Sequence, residues 1–133
     1  MINVTLAKSK MIKEEGTNYL WIQIDTSFPF KIDVQLPKGI NRKLNLNGYP
    51  EGDHGTIYVN NFQQNDVLIE LFTEPGVTAN EGTIILTVTK ETAYSKTHIK
   101  AVPFKIANPE DPSDLVFTEP SFINRLKSLQ EHN

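Results

Sequence analysis

Residues 83–89, "TIILTVT", indicate how this chain folds. Ile84, Leu86 and Val88 recur at every second position, the period that turns one face of a β-strand towards a core. The same alternation runs through "NYLWIQI", "FKIDVQL", "DVLIELF" and "AVPFKI", and helical spacing appears only near the C-terminus. Together the runs predict about eight strands at a spacing typical of a β-sandwich or barrel.

The segments between these runs favour antiparallel pairing. They are short and contain glycine, proline or asparagine, which supply the φ freedom or restriction of a chain reversal. None is long enough for the crossover helix that parallel strands need, so we expect an all-β, antiparallel sandwich over residues 1–106. Leu44 and Leu46 are expected to form a shorter strand, and Pro103, which has no N–H, to lie at a sheet edge or bulge. Six central apolar residues are expected to share one core: Ile22, Ile32, Val34, Ile69, Leu86 and Phe104.

Residues 107–133 differ in composition from the rest of the chain. The stretch "ANPEDPSDLVFTEP" carries three prolines and four acids, which favour an extended arm. Pro120 then stands where a short amphipathic helix is expected to begin. The apolar stripe of this helix consists of Phe122, Leu126 and Leu129, with Ile123 beside it.

The arm and helix are expected to dock on another protein subunit. An isolated helix of about 12 residues is marginal in water, so its stripe needs a covering surface. An arm extended at about 3.1 Å per residue could carry the helix about 40 Å from the last strand, farther than packing on its own domain requires. We therefore expect an oligomer, and expect that removing the residues after Ala107 leaves the melting temperature nearly unchanged.

The composition excludes several classes of function. The 133 residues include no cysteine, which excludes disulfides, thiolate metal sites and cysteine nucleophiles. A formal net charge of −3 gives no basic field for a nucleic-acid backbone. The first residues, "MINVTLAKSKMI", contain no apolar run long enough for a signal peptide or a membrane span. We therefore expect no nucleic acid or membrane as partner, and a protein that stays in the cytoplasm unless it enters a particle.

No catalytic constellation is recognisable in the sequence. The phosphate-binding, dinucleotide-binding and nucleophile-elbow patterns are all absent, so we predict no catalytic residue and no cofactor. A small hydrolase with two carboxylates is a third hypothesis, because the chain has sixteen acids from which such a pair could come. The favoured prediction is a protein that is not an enzyme.

The segment "EGDH", Glu51 to His54, is interpreted as a solvated turn. A polar residue, a glycine and a threonine precede three different runs, which points to a shared structural role for the glycine. The alternative is a metal site. Its candidate ligands are Asp53 and His54, or Glu110, Asp111 and Asp114 for calcium. Neither set has the ligand spacing of a known motif, so we predict no metal.

Aromatic side chains supply a second kind of candidate site. Tyr19 and Trp21 share the face of their strand opposite the aliphatic stripe, and Tyr94 follows in a later connector. Exposed, these three rings could bind a sugar. Burial of the strand on both faces, or packing of Trp21 under a loop, is the favoured interpretation, because aromatic side chains contribute most when they are buried.

Residues 71–106, "LFTEPGVTANEGTIILTVTKETAYSKTHIKAVPFKI", resemble the last strands of bacterial and phage immunoglobulin-like domains. In those domains an acid-Gly-Thr step opens the penultimate strand, which pairs with the final strand after a polar loop. The corresponding strands here are residues 83–89 and 97–106. The resemblance implies an immunoglobulin-like sandwich, an architecture that serves adhesion, sugar binding and virion decoration alike.

The leading hypothesis is a non-enzymatic structural or interaction protein. We expect a bacteriophage virion component, such as a capsid decoration or tail-associated protein, that is assembled in the host cytoplasm. It would bind protein subunits through its C-terminal arm, with Phe122, Ile123, Leu126 and Leu129 as the contact residues. The alternative is a carbohydrate-binding or adhesion module that uses Tyr19, Trp21 or Tyr94.

Overall fold

The computed structural model describes residues 2–14, 16–24, 28–60, 65–91, 96–109 and 120–131, apart from the side chains of Pro120 and Glu131. Within these ranges the chain forms nine strands and a C-terminal helix. They are β1 Ile2–Leu6, β2 Lys10–Ile12, β3 Thr17–Ile24, β4 Phe30–Gln35, β5 Ile40–Arg42, β6 Ile57–Val59, β7 Asp66–Thr73, β8 Glu81–Lys90, β9 Thr97–Ala107 and α1 Pro120–Glu131. The all-β prediction with one short C-terminal helix is confirmed. The prediction of a strand at Leu44 and Leu46 is wrong, since β5 ends at Arg42 and Leu44 is 72% exposed.

The strands form two sheets. The four-stranded sheet has the order β1-β3-β7-β5, and the five-stranded sheet has the order β2-β9-β8-β4-β6. Every neighbouring pair is antiparallel except β2 and β9, which are parallel. A crossover helix is not needed for this parallel pair, because the long path from β2 to β9 runs through both sheets.

The core lies between the two sheets. Ile22 and Ile69 reach it from the four-stranded sheet, and Ile32, Leu86 and Phe104 reach it from the five-stranded sheet. All five are buried, and Val34 is partly buried against them. The predicted core is therefore confirmed, and with it the face that each of these strands turns inward.

Helix α1 covers the outer face of the four-stranded sheet. Trp21 of β3 and Leu68 of β7 are paired across the ladder and point away from the core. Together with Ala7 they form an apolar patch, on which three helix residues are buried: Phe122, Leu126 and Leu129. The structure thus differs from the expectation that another subunit covers this stripe, because the chain's own sheet provides the covering surface. Ile123, beside the stripe, is 37% exposed.

Candidate protein-binding site

A carboxylate at the start of β7 fixes α1 to the sheet. Asp66 accepts hydrogen bonds from Arg125 Nε at 2.6 Å and Nη2 at 2.7 Å, and from Trp21 Nε1 at 2.9 Å. Asn47 Nδ2 and the Tyr49 hydroxyl also donate to Asp66, both to its backbone oxygen at 3.1 Å. The hydrogen bonds with Asp66 raise the pKa of Arg125, and burial raises that of Tyr49 to about 12. This cluster is therefore a structural anchor that joins the helix, β3, β7 and the loop after β5.

Tyr19 and Trp21, two of the three aromatic residues proposed for sugar binding, do not form an exposed platform. Trp21 is 8% exposed, and the Phe122 ring meets it edge-on with 5.3 Å between centroids. Tyr19 is partly buried and donates its hydroxyl to Glu70 at 3.0 Å, and this burial and hydrogen bond raise its pKa. Tyr94 lies outside the described residues. The interpretation that β3 is buried on both faces is confirmed, and Trp21 is corrected from a possible ligand-binding residue to a core residue.

The turn interpretation is confirmed for Asp53 and His54, which are both exposed. Gly55 N donates to Gly52 O at 2.9 Å, and Gly55 has a φ of 79°, a conformation that glycine adopts without steric cost. Among the residues that the structure describes, no group of three histidine, aspartate or glutamate side chains could hold a metal ion. The calcium candidates Glu110, Asp111 and Asp114 are not among those residues.

Glu51 requires a correction, because its side chain is not solvated. It is 8% exposed, and Arg42 Nη2 donates to its Oε1 at 2.8 Å. Both the backbone N and the Nδ2 of Asn45 donate to Oε2 at 2.8 Å. Burial alone would raise the pKa of Glu51, but these hydrogen bonds outweigh it and lower that pKa. Glu51 thus ties the segment before β6 to the end of β5 and to Asn45 in the loop after it, a role that the local turn pattern did not indicate.

One edge of the five-stranded sheet is open. Strand β9 pairs with β8 from Thr97 to Lys105, but on its other side β2 covers only Lys105 to Ala107. From Thr97 to Phe104, β9 therefore has a paired neighbour on one side only within the described parts of the chain. The expectation that Pro103 lies at an edge is confirmed.

The backbone groups of β9 alternate between the two sides. Ile106 N donates to Asn80 O on the β8 side, whereas Ala107 O accepts from Lys13 N on the β2 side. Since the groups of successive strand residues point in opposite directions, the odd-numbered residues face the open edge. Thr97, Ile99 and Ala101 thus present both N–H and C=O there. Pro103 presents only C=O, so its missing N–H removes no hydrogen bond from the sheet.

An apolar cleft adjoins this edge. It has a volume of about 180 Å³ and opens between β1, an edge strand of the four-stranded sheet, and the part of β9 that β2 does not cover. Ile2, Ile24 and Val88 form its apolar wall, and Ile99, which is 71% exposed, lies at its rim. His98 and Lys100 also line it. The sequence analysis did not single out this site, although the polar composition of "KTHIK" within a strand and the position of Pro103 were signals of an open edge.

No helix among the described residues is long and apolar enough to cross a membrane. No protein-family profile and no curated protein matches the sequence. Among solved structures, the chain is similar to a conjugative transposon lipoprotein from Bacteroides eggerthii, with 14% identity and a TM-score of 0.53 over 77% of this chain and 93% of that one. This likeness shows a shared fold and nothing more.

Two bacterial chaperones are similar at a lower level. DraB from E. coli has 9% identity and a TM-score of 0.46 over 81% of this chain, and the periplasmic chaperone SfaE has 8% identity and a TM-score of 0.43 over 82%. The chain spans 56% of the DraB chain and 58% of the SfaE chain. The chain is therefore assigned to a class of structure by its fold alone. That fold has two β-sheets around one core, with a C-terminal helix packed on the outer face of one sheet.

Proposed function

We propose that the protein is a non-enzymatic binding module whose protein partner adds a β-strand to the open edge of β9. The observation that carries this proposal is the row of outward-facing backbone groups at Thr97, Ile99 and Ala101. In strand addition, main-chain hydrogen bonds supply affinity and pockets for alternate side chains supply specificity. The cleft beside β9 offers such a pocket, with Ile2, Ile24 and Val88 as its wall.

The sandwich is proposed to be of the immunoglobulin-like type. The order β1-β3-β7-β5 corresponds to strands A, B, E and D of that architecture, and β9-β8-β4 corresponds to strands G, F and C. Strand β6 lies beside β4, where the variable type has its additional strand C′, but β6 follows β5 in the chain, whereas C′ precedes D. This order supports the type that the resemblance of residues 71–106 implies.

Two arginine pairs support a role other than catalysis. Glu51 is engaged by Arg42 and Asp66 by Arg125, so each of these carboxylates serves to hold the fold. A hydrolase would need carboxylates that face a substrate cleft. The cleft beside β9 has no carboxylate among its lining residues, and in the open depression that Glu51 and Asp53 line, Glu51 is held by Arg42.

The narrower role as a bacteriophage virion subunit stays a prediction. It is supported by the resemblance of residues 71–106 to phage immunoglobulin-like domains. In a virion, the β9 edge would be the contact with a neighbouring subunit, and α1 would stay on its own sandwich. The carbohydrate-binding alternative is not proposed, because Trp21 lies beneath α1.

Replacing Ala101 by proline tests the strand-addition proposal. The Ala101 N–H points away from β8, so the ring should leave the sheet's own ladder intact while removing one donor from the edge and obstructing a guest strand. We expect a displayed library of random seven-residue peptides to yield binders of the wild type, and Ala101→Pro to weaken their binding about tenfold or more. Ala101→Ser, which keeps the N–H, should bind as the wild type does.

Hydrogen exchange of the free protein checks the same edge without a ligand. The amides of Ile99 and Ala101 should exchange rapidly, and those of Lys100 and Val102 slowly, because only the latter point to β8. Strong protection of Ile99 and Ala101, or binders indifferent to Ala101→Pro, would contradict the proposal.

A further inference from the structure

We infer that the strand accepted at the β9 edge is acidic, with a carboxylate and an apolar side chain two positions apart on its inward face. This inference rests on the proposed strand addition and concerns which partners the edge selects. The reasons lie in the side chains that a guest strand would meet.

The inward face of β9 is apolar near its C-terminal end and basic near its N-terminal end. Phe104 and Ile106 are buried in the core, and by alternation Lys100 and His98 lie on the same face. Lys100 is paired with Leu86 and His98 with Val88 across the β8 ladder. The inward face of a guest strand would therefore lie beside a cationic side chain.

No carboxylate in the described part of the chain forms an ion pair with the lysines at this end of the sheet. The ion pairs formed among the described residues are Arg42–Glu51, Lys43–Glu70 and Arg125–Asp66. None involves Lys90 or Lys100, although both line the cleft. The cleft thus combines an apolar wall with two lysines that no described carboxylate engages.

An inward lysine selects among guest strands. Covering the Lys100 ammonium with an apolar or basic strand would remove it from water without a partner, which is unfavourable. A guest carboxylate beside it would form a charge-assisted hydrogen bond instead. Because inward side chains recur at every second residue, the next inward position of the guest would meet the wall formed by Ile2, Ile24 and Val88.

The same features have a protective role. A lysine and a proline at an open edge prevent identical chains from pairing edge to edge. Lys100 can both prevent self-pairing of the edge and select the guest strand, because it repels the Lys100 of a second copy and attracts a carboxylate. Pro103 limits the guest at one end only, since Thr97, Ile99 and Ala101 keep their donors. The edge of β9 therefore disfavours pairing with β9 of a second copy and favours pairing with an acidic strand.

A charge-swap experiment tests this inference. The probes are three labelled seven-residue peptides of alternating valine and threonine, with Glu, Gln or Lys at the central inward position, measured by fluorescence anisotropy. We expect the wild type to prefer the Glu peptide over the Lys peptide by about fivefold or more, with the preference decreasing as salt is added. Lys100→Glu should reverse the preference. Lys38→Glu, which makes the same change of charge in the turn after β4, should leave it unaltered.

Each outcome separates the two proposals. Peptides that bind with equal affinity, and that lose affinity in Ala101→Pro, would overturn the acidic preference and leave strand addition standing. A preference for Glu that persists in Lys100→Glu would also overturn it, because the selecting charge would lie elsewhere. If none of the peptides, including those selected from the display library, binds at β9, strand addition itself is overturned.

Discussion

Replacing Phe122 by alanine measures how strongly α1 is held on the four-stranded sheet. The Phe122 side chain is fully buried and lies edge-on to Trp21. Truncating a buried phenylalanine lowers the free energy of unfolding by about 3–5 kcal/mol, through lost burial and the cavity that remains. The loss cannot exceed the free energy with which α1 docks, because the helix would then detach. We therefore expect a loss within this range if α1 stays docked, and a loss equal to the docking free energy if α1 detaches.

The assay can follow docking directly, because Trp21 is the only tryptophan of the chain. Urea unfolding is followed by far-UV circular dichroism for the sandwich and by tryptophan fluorescence for the helix contact. If α1 detaches in Phe122→Ala, the emission of Trp21 shifts to longer wavelength in the native state, since its ring becomes exposed to water. The matched control is Ile123→Ala, at a position that is 37% exposed, which should change stability by no more than about 0.5 kcal/mol.

Two results would refute this reasoning. In the first, Phe122→Ala unfolds at the wild-type urea concentration with unchanged emission, so α1 is not packed on Trp21. In the second, wild-type stability increases with protein concentration, so a second copy supplies the contact. The expectation that truncation after Ala107 leaves the melting temperature unchanged is revised for the same physical reason. Truncation would uncover Trp21 and Leu68, and we now expect it to lower the melting temperature.

Three further predictions concern the turn before β6 and its ion pair. The folded pKa of Glu51 lies below the ordinary value of 4.5, so the pair with Arg42 stabilises the protein above about pH 4.5 and this stabilisation is lost as the pH falls through the folded pKa. Glu51→Gln should be less stable by about 1–3 kcal/mol at pH 7, and its melting temperature should fall less steeply below pH 4.5 than that of the wild type. Parallel melting curves down to pH 3 would contradict this assignment. Gly55→Ala should cost about 1–2 kcal/mol in urea unfolding, because φ is 79° and the new Cβ would lie 2.9 Å from Arg42 Nη2. Replacing Asp53 and His54 together by Ser and Asn should leave stability within about 0.5 kcal/mol, and a larger loss would mean that the turn is not solvated there.

The core residues could be predicted from the sequence because the pattern that identifies them lies within each single strand. In a strand, the side-chain period of two assigns each residue to a face without knowledge of the neighbouring strand. Ile22, Leu86 and Phe104 therefore fell on the correct face. The parallel pairing of β2 with β9 could not be predicted in this way, since Lys10–Ile12 is short and its partner is chosen by the packing of the two sheets.

The covering surface of α1 could not be predicted because it is created by strand pairing. The stripe of Phe122, Leu126 and Leu129 was visible from its spacing. The patch beneath it depends on Trp21 and Leu68, which are distant in sequence and become neighbours only through the β3–β7 register. Leu68 also lies within the continuous apolar run "VLI", where alternation gives no indication of which residues face outward.

The open part of β9 differs from the other strand edges of the protein, which are short or are covered by a loop. Three of the four outermost strands, β2, β5 and β6, have three residues each, a length that offers few backbone groups to another chain, and the fourth, β1, has five. Strand β7, with eight residues, is protected where β5 ends, because Lys43 N donates to Glu70 O at 3.0 Å and Leu46 N donates to Leu68 O at 2.8 Å. Strand β9 is the longest at eleven residues, and within the described ranges no such loop bonds to the outward backbone groups of Thr97, Ile99 or Ala101. Within the described residues, the chain covers one long strand edge with a loop and leaves another beside an apolar cleft, where Lys100 and Pro103 disfavour edge-to-edge pairing. This arrangement is the one that the proposed strand addition requires.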